Sequence, residues 1–174
     1  GMALDVEREL LFVPTGSAPP DFYGASRPGD NLFANCLLGL DVRTGELRWY
    51  FQAVHHDLWD RDLPSPPTLV KVERFGTVID AVAVTTKSGH LFVFDRDTGE
   101  SLYDIAEVST LPSELPGEHA SLTQPVSSVA FTRQSFEITT RSQEATVFVE
   151  DLLKDLDQRP WAPPSEAGPL CSPA

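Results

Sequence analysis

Leu38-Gly39-Leu40-Asp41-Val42-Arg43-Thr44-Gly45-Glu46 recurs 54 positions later as Phe92-Val93-Phe94-Asp95-Arg96-Asp97-Thr98-Gly99-Glu100, so that Asp41 falls on Asp95 and Gly45 on Gly99. Each copy runs from alternating apolar residues into Asp-x-x-Thr-Gly-Glu. That pattern predicts a strand, a tight turn carrying its glycine, and a return strand. A β-rich run precedes each hairpin, Leu10 to Thr15 before the first and Val78 to Thr86 before the second. A strand ahead of a hairpin makes three of the four strands of a propeller blade, and short strands repeating at blade spacing are the mark of that architecture. The competing fold is a β-sandwich with two similar hairpins. A closed propeller needs about 4 to 8 blades, and two repeats are present. Residues 1–104 are therefore expected to form about two blades of a mainly β, partial propeller. Its exposed blade edges would invite pairing with another chain, giving a homo-oligomer.

Beyond Glu100 the pattern changes. Pro112, Pro116 and Pro125 among serine, threonine and glycine predict a proline-rich loop over 105–141. Ala145, Val149, Leu152, Leu153 and Leu156 then recur at helical spacing. With Ser142 as cap and Gln158-Arg159-Pro160 as stop, they predict one amphipathic α-helical insertion over 142–159. The remainder, 160–174, is too rich in proline to be helix or inner strand.

The 174 residues are 41% apolar and 22% charged, an ordinary globular composition. A net charge of -13 would be repelled by a nucleic-acid backbone or an anionic membrane surface, which argues against both as partners. No apolar run approaches the roughly 18 residues of a membrane span, and no segment has the form of a signal peptide. Cys36 and Cys171 lie far apart without CxxC spacing, so neither a zinc site nor a redox motif follows from them; they could pair or stay free.

The densest chemistry lies in His55-His56-Asp57-Leu58-Trp59-Asp60, followed by Arg61-Asp62-Leu63-Pro64. Two imidazoles, three carboxylates and an indole within 55–62 suit a site better than a core, because loops on a rigid scaffold carry much of a protein's binding chemistry. A Trp-Asp pair can also serve as a packing and capping device in a repeat protein, and both readings stand on the residues alone.

Taken together with the repeats, these residues resemble the PQQ-dependent quinoprotein dehydrogenases, most closely the membrane-bound glucose dehydrogenase branch. Arg27-Pro28-Gly29-Asp30-Asn31, His55 to Asp60, Lys87-Ser88-Gly89-His90-Leu91-Phe92-Val93-Phe94-Asp95-Arg96, Thr123-Gln124-Pro125 and Pro163-Pro164-Ser165-Glu166 carry the resemblance, in order, over nearly the whole chain. It implies an eight-bladed propeller holding PQQ near its axis, with Ca2+ or Mg2+, located in the periplasm or on the periplasmic side of a membrane. It implies an aldose or polyol substrate and a quinone electron acceptor.

Asp60 matches the family's catalytic aspartate, the base that takes the hydroxyl proton, and is the one metal partner suggested here. Lys87, 27 positions on, matches the cation that hydrogen-bonds the quinone oxygens of the cofactor. The methanol dehydrogenase branch has a calcium-coordinating asparagine where Ser17 stands, which weakens a ligand there and points to the sugar and polyol branch. His55 and His56 are expected behind or beside Asp60 rather than in the chemistry, and Trp59 and Trp49 between blades. On its own the chain is expected to be inactive. The alternative is a non-catalytic propeller fragment that self-associates through its blade edges. A WD-type interaction propeller fails on order, since those repeats place Gly-His ahead of Trp-Asp, and here Gly89-His90 follows Trp59-Asp60.

Overall fold

A computed structural model describes residues 1–131. The strands β1 (Ala3–Asp5), β2 (Leu10–Pro14), β3 (Cys36–Asp41) and β4 (Leu47–Gln52) form a four-stranded antiparallel sheet in chain order. β5 (Thr68–Arg74), β6 (Thr77–Thr85) and β7 (Leu91–Asp95) form a second antiparallel sheet, and β8 (Ile105–Ser109) pairs with β9 (Thr123–Ser127). The mainly β, partial-propeller expectation holds. The helix expected over 142–159 and the tail over 160–174 lie outside the described residues.

The two Asp-x-x-Thr-Gly-Glu turns are built from the same bonds. Asp41 Oδ1 accepts the N–H groups of Arg43 and Thr44 at 2.9 and 3.0 Å, and Asp95 Oδ1 accepts those of Asp97 and Thr98, both at 2.9 Å. A short carboxylate bonded to the backbone two and three residues on closes the turn. Glycine completes it, because Gly45 and Gly99 sit at φ 74° and 72°, a region that other residues enter only with strain.

Period-two alternation places Phe12, Leu37 and Trp49 of the first sheet in one core with Val82, Val84, Phe92 and Phe94 of the second. Trp49 is the centre of that interface, with ring centroids 5.7 Å from Phe12 and 5.9 Å from Phe94. Its indole N–H donates to the Arg96 carbonyl at 2.9 Å. A Cβ on Gly99 would lie 2.6 Å from the indole, so the second turn must carry glycine for the indole's sake as well as for its own φ. Trp49 thus packs between the sheets as expected. The interface is also clamped by charge: Arg96 reaches Asp5 at 2.9 Å, and Arg8 reaches Asp80 and Asp97 at 2.8 and 3.0 Å.

Two expectations need correction. The return strand of the second hairpin is reduced to a single bridge between Phe94 and Ser101. The chain leaves the sheet after Leu102, whose N–H donates to Val93. It comes back at Val129, whose carbonyl accepts the Leu91 N–H at 3.0 Å, with a second bridge between His90 and Ala130. The free edge of β7 is thereby covered in two pieces, with an excursion between them. The second correction concerns that excursion. Residues 105–141, expected as loop, contain β8 and β9. Proline is tolerated there because a two-stranded ribbon has an edge on each side, where a missing N–H costs no ladder bond.

Candidate functional site around Asp60 and Lys87

The stretch from His55 to Asp62 leaves β4 and crosses to the start of the second sheet without forming a strand. Its backbone is held from outside. Gln124 of β9, 2% exposed, accepts the His55 N–H at 2.8 Å and donates to the His55 carbonyl at 2.6 Å. The excursion from the second sheet therefore braces this loop. Thr123-Gln124-Pro125 was among the motifs read from sequence, but its contact with His55 was not.

Lys87 lies in the turn between β6 and β7, and its ammonium donates to Asp60 Oδ2 at 2.9 Å and to Asp62 Oδ2 at 2.6 Å. The structure thus brings together the two residues singled out from sequence, 27 positions apart, and adds Asp62. That carboxylate also accepts the Ser17 N–H at 2.7 Å. The signal for it was present in Asp60-Arg61-Asp62, but spacing does not say which of two nearby carboxylates faces a lysine. All three side chains remain about one third exposed, at 38%, 32% and 31% for Lys87, Asp60 and Asp62. The cluster is open to a ligand.

Burial pushes the Asp62 carboxyl up, but the bonds from Lys87 and the Ser17 N–H override it and hold the group at about 2. Lys87 is raised above the ordinary lysine value, first by Asp62 and then by Asp60. A carboxyl depressed on folding stabilises the fold above its unfolded value near 4 and loses that contribution as pH falls toward 2. Asp62→Asn should therefore remove at most about 2 kcal/mol of stability at pH 6 and less at pH 2.5. Urea unfolding of both proteins at the two pH values measures the difference; an equal difference at both would show that Asp62 carries no such linkage.

His55 and His56 make their bonds away from Asp60. His55 Nδ1 is 2.9 Å from Gln52 Oε1 and its Nε2 is 3.2 Å from Glu107 Oε1, while His56 Nδ1 is 2.5 Å from the Gly29 carbonyl. His56 lines a cavity of about 430 Å³ with Gly24, Pro28, Asp30, His119 and Leu122. Trp59 does not pack between the two sheets. It clusters with Val54, Leu58 and Ala120, and the Arg61 guanidinium sits 4.3 Å from its ring centroid. Among the described residues no cluster of three or more His, Cys, Asp or Glu is arranged to hold a metal ion. No helix among them is long and apolar enough to cross a membrane.

The donors and acceptors present suit both groups that the resemblance implies. Lys87 has a third ammonium hydrogen beyond those given to the two aspartates, available to an oxyanion or a carbonyl. Asp60 and Asp62 offer hard carboxylate oxygens of the type that hold Ca2+ or Mg2+, as part of a coordination shell completed from elsewhere.

Residues 1–174 match the family model described as PQQ: Glucose/ethanol/alcohol dehydrogenase, beta-propeller domain. The chain is 42% identical over 125 residues to a quinoprotein glucose dehydrogenase of Gluconobacter oxydans, covering 71% of this chain and 16% of that protein. It is 40% identical over 126 residues to a quinate/shikimate dehydrogenase (quinone) of Acinetobacter baylyi, again 71% and 16%. Among solved structures it is similar to a quinohemoprotein alcohol dehydrogenase of Pseudomonas putida, at TM-score 0.57 and 26% identity over 70% of this chain and 19% of that one. The chain spans about a sixth of the length of these curated relatives.

Proposed function

Because this chain belongs to the PQQ glucose/ethanol/alcohol dehydrogenase β-propeller family, we propose that it supplies the base and a cofactor-binding cation of a PQQ-dependent dehydrogenase. The observation that carries this reading is the Lys87–Asp60 pair at 2.9 Å in a half-open cluster. PQQ, when bound, supplies the two-electron acceptor for a hydride leaving the alcohol carbon. Asp60 accepts the hydroxyl proton as the carbon–oxygen double bond forms, which a carboxylate within hydrogen-bond reach can do. Lys87 would hold the cofactor by donating to its oxygens and would place a positive charge beside them. Asp62 keeps the ammonium in place, and with Asp60 it would hold Ca2+ or Mg2+.

The finer reading is an aldose or polyol substrate and a quinone acceptor, in the periplasm or on the periplasmic face of a membrane. Its support is the similarity to a glucose dehydrogenase, although a quinate/shikimate dehydrogenase is nearly as similar. Shared identity at this level supports the cofactor chemistry more strongly than the substrate.

A second reading, a non-catalytic piece that self-associates, has its own support. Leu11 pairs with Leu40 and Val13 with Leu38 on the half-buried face of the first sheet opposite Phe12. Val70, Val72, Ile79 and Ala83 form a similar face on the second sheet. Copies joined head to tail would cover two such faces, a different contact from the edge-to-edge pairing expected from sequence.

One titration separates the two readings. Adding PQQ with Ca2+ is expected to change the cofactor's absorbance on binding, and Lys87→Ala to weaken that binding about tenfold, the worth of one charge-assisted bond. Dye reduction by an aldose or polyol is expected only where the rest of the propeller is supplied. Absence of binding, with an oligomer seen by light scattering, would favour self-association.

A further inference from the structure

We propose that Asp57 is a positioning residue whose carboxylate clamps the backbone on both sides of Asp60 and so fixes where the base points. Asp57 is 1% exposed. Its Oδ1 accepts the Trp59 N–H at 2.9 Å and its Oδ2 accepts the Arg61 N–H at 2.6 Å. Asp60 is the residue between those two N–H groups. Two further donors reach Oδ2 from the loop after β2 and from the residue ahead of β3: the Ser17 hydroxyl, and Asn35 Nδ2 at 2.9 Å. Asn35 Nδ2 also donates to the Arg61 carbonyl at 3.2 Å, and the Arg27 guanidinium to the Asp57 carbonyl. All four contacts to the carboxylate are donors, which an acceptor-only group satisfies and an amide does not.

The clamp opposes a specific tendency. Asp60 holds φ 54°, a left-handed conformation that a non-glycine residue keeps only when its surroundings impose it. Without the grip on Trp59 and Arg61, the 57–61 turn would relax and carry the Asp60 carboxylate away from Lys87. Lys87 itself would stay, because Asp62 holds it at 2.6 Å and the Lys87 N–H donates to the Asp62 carbonyl. Asp57 therefore acts on the base and not on the cation.

This inference rests on the reading of Asp60 as the base, and its test is independent of turnover. In the full 174-residue chain, Asp57→Asn is expected to shift the Lys87 Nζ nitrogen resonance at neutral pH in the same sense and by the same amount as Asp60→Asn. The double variant should shift it no further. Amide exchange at Trp59 and Arg61 should rise at least about tenfold while β2 and β3 stay protected, the pattern of a local opening. A Lys87 resonance unmoved by Asp57→Asn, or shifts from the two variants that add in full, would overturn the proposal. If Asp57→Asn does not fold, Ser17→Ala carries the test, since it removes one donor and keeps the backbone N–H that Asp62 accepts. A smaller shift of the same sign supports the clamp, and no shift overturns it. Full turnover of Asp60→Asn, in an assembly that supplies the rest of the propeller, would remove Asp60 as the base and leave these spectra unchanged.

Discussion

Asp60→Asn is expected to lower PQQ-dependent turnover, read in an assembly that supplies the rest of the propeller, by about two to four orders of magnitude, the usual worth of a positioned general base. PQQ affinity should fall far less than turnover, because asparagine keeps an amide oxygen able to ligate Ca2+. The substitution keeps the size of the side chain, and Lys87 retains its shorter bond, 2.6 Å to Asp62. Asparagine can still accept a hydrogen bond from an alcohol, but it cannot take the proton. Binding and chemistry therefore separate: absorbance titration reports the first and single-turnover dye reduction the second. Activity within a few-fold of the parent would assign the base elsewhere. Loss of PQQ binding in parallel would mean that Asp60 acts by organising the site.

Trp49→Ala should destabilise the fold by about 3–5 kcal/mol, the range for deleting a large buried aromatic. The indole is 9% exposed and lies between Phe12 of the first sheet and Phe94 of the second. It also gives the Arg96 carbonyl its bond. Alanine would leave a cavity between the sheets and an unpaired carbonyl at its rim. Trp49→Phe should cost less, retaining the ring contacts and losing the N–H. Urea unfolding of the three proteins checks the order. A Trp49→Ala loss below about 1 kcal/mol would show that the two sheets are held by the Arg8, Arg96 and Asp5 network instead.

Local patterns were legible wherever a residue's job depends on its immediate neighbours. The Asp-x-x-Thr-Gly-Glu turns form in both copies because the aspartate caps N–H groups two and three residues on, and the glycine supplies a positive φ. The apolar runs holding Phe12, Phe92 and Phe94 mark strands, and those three side chains face the core. The second return strand was misjudged because the signal ends at Glu100. Whether Ser101 and Leu102 continue as a strand depends on Val129 to Phe131 taking the other half of the β7 edge. The ribbon of β8 and β9 was hidden by Pro125, whose cost depends on a strand having a free side.

Within the site, Asp60 and Lys87 were brought out by the family resemblance, which matches both residues and their separation of 27 positions. It assigned no role to Asp57, Asp62, Asn35 or Gln124, each of which has a partner 18 to 69 positions away. Bonds of that reach are set by how the sheets stack and where the excursion returns, and a linear string carries no trace of them. By itself the sequence determined two blade repeats, their turns and the loop in which titratable groups are densest. Only the tertiary structure decided which carboxylate faces the lysine and which one, buried beneath Ser17 and Asn35, grips the backbone around it, because those roles depend on distance in space and on exclusion of water.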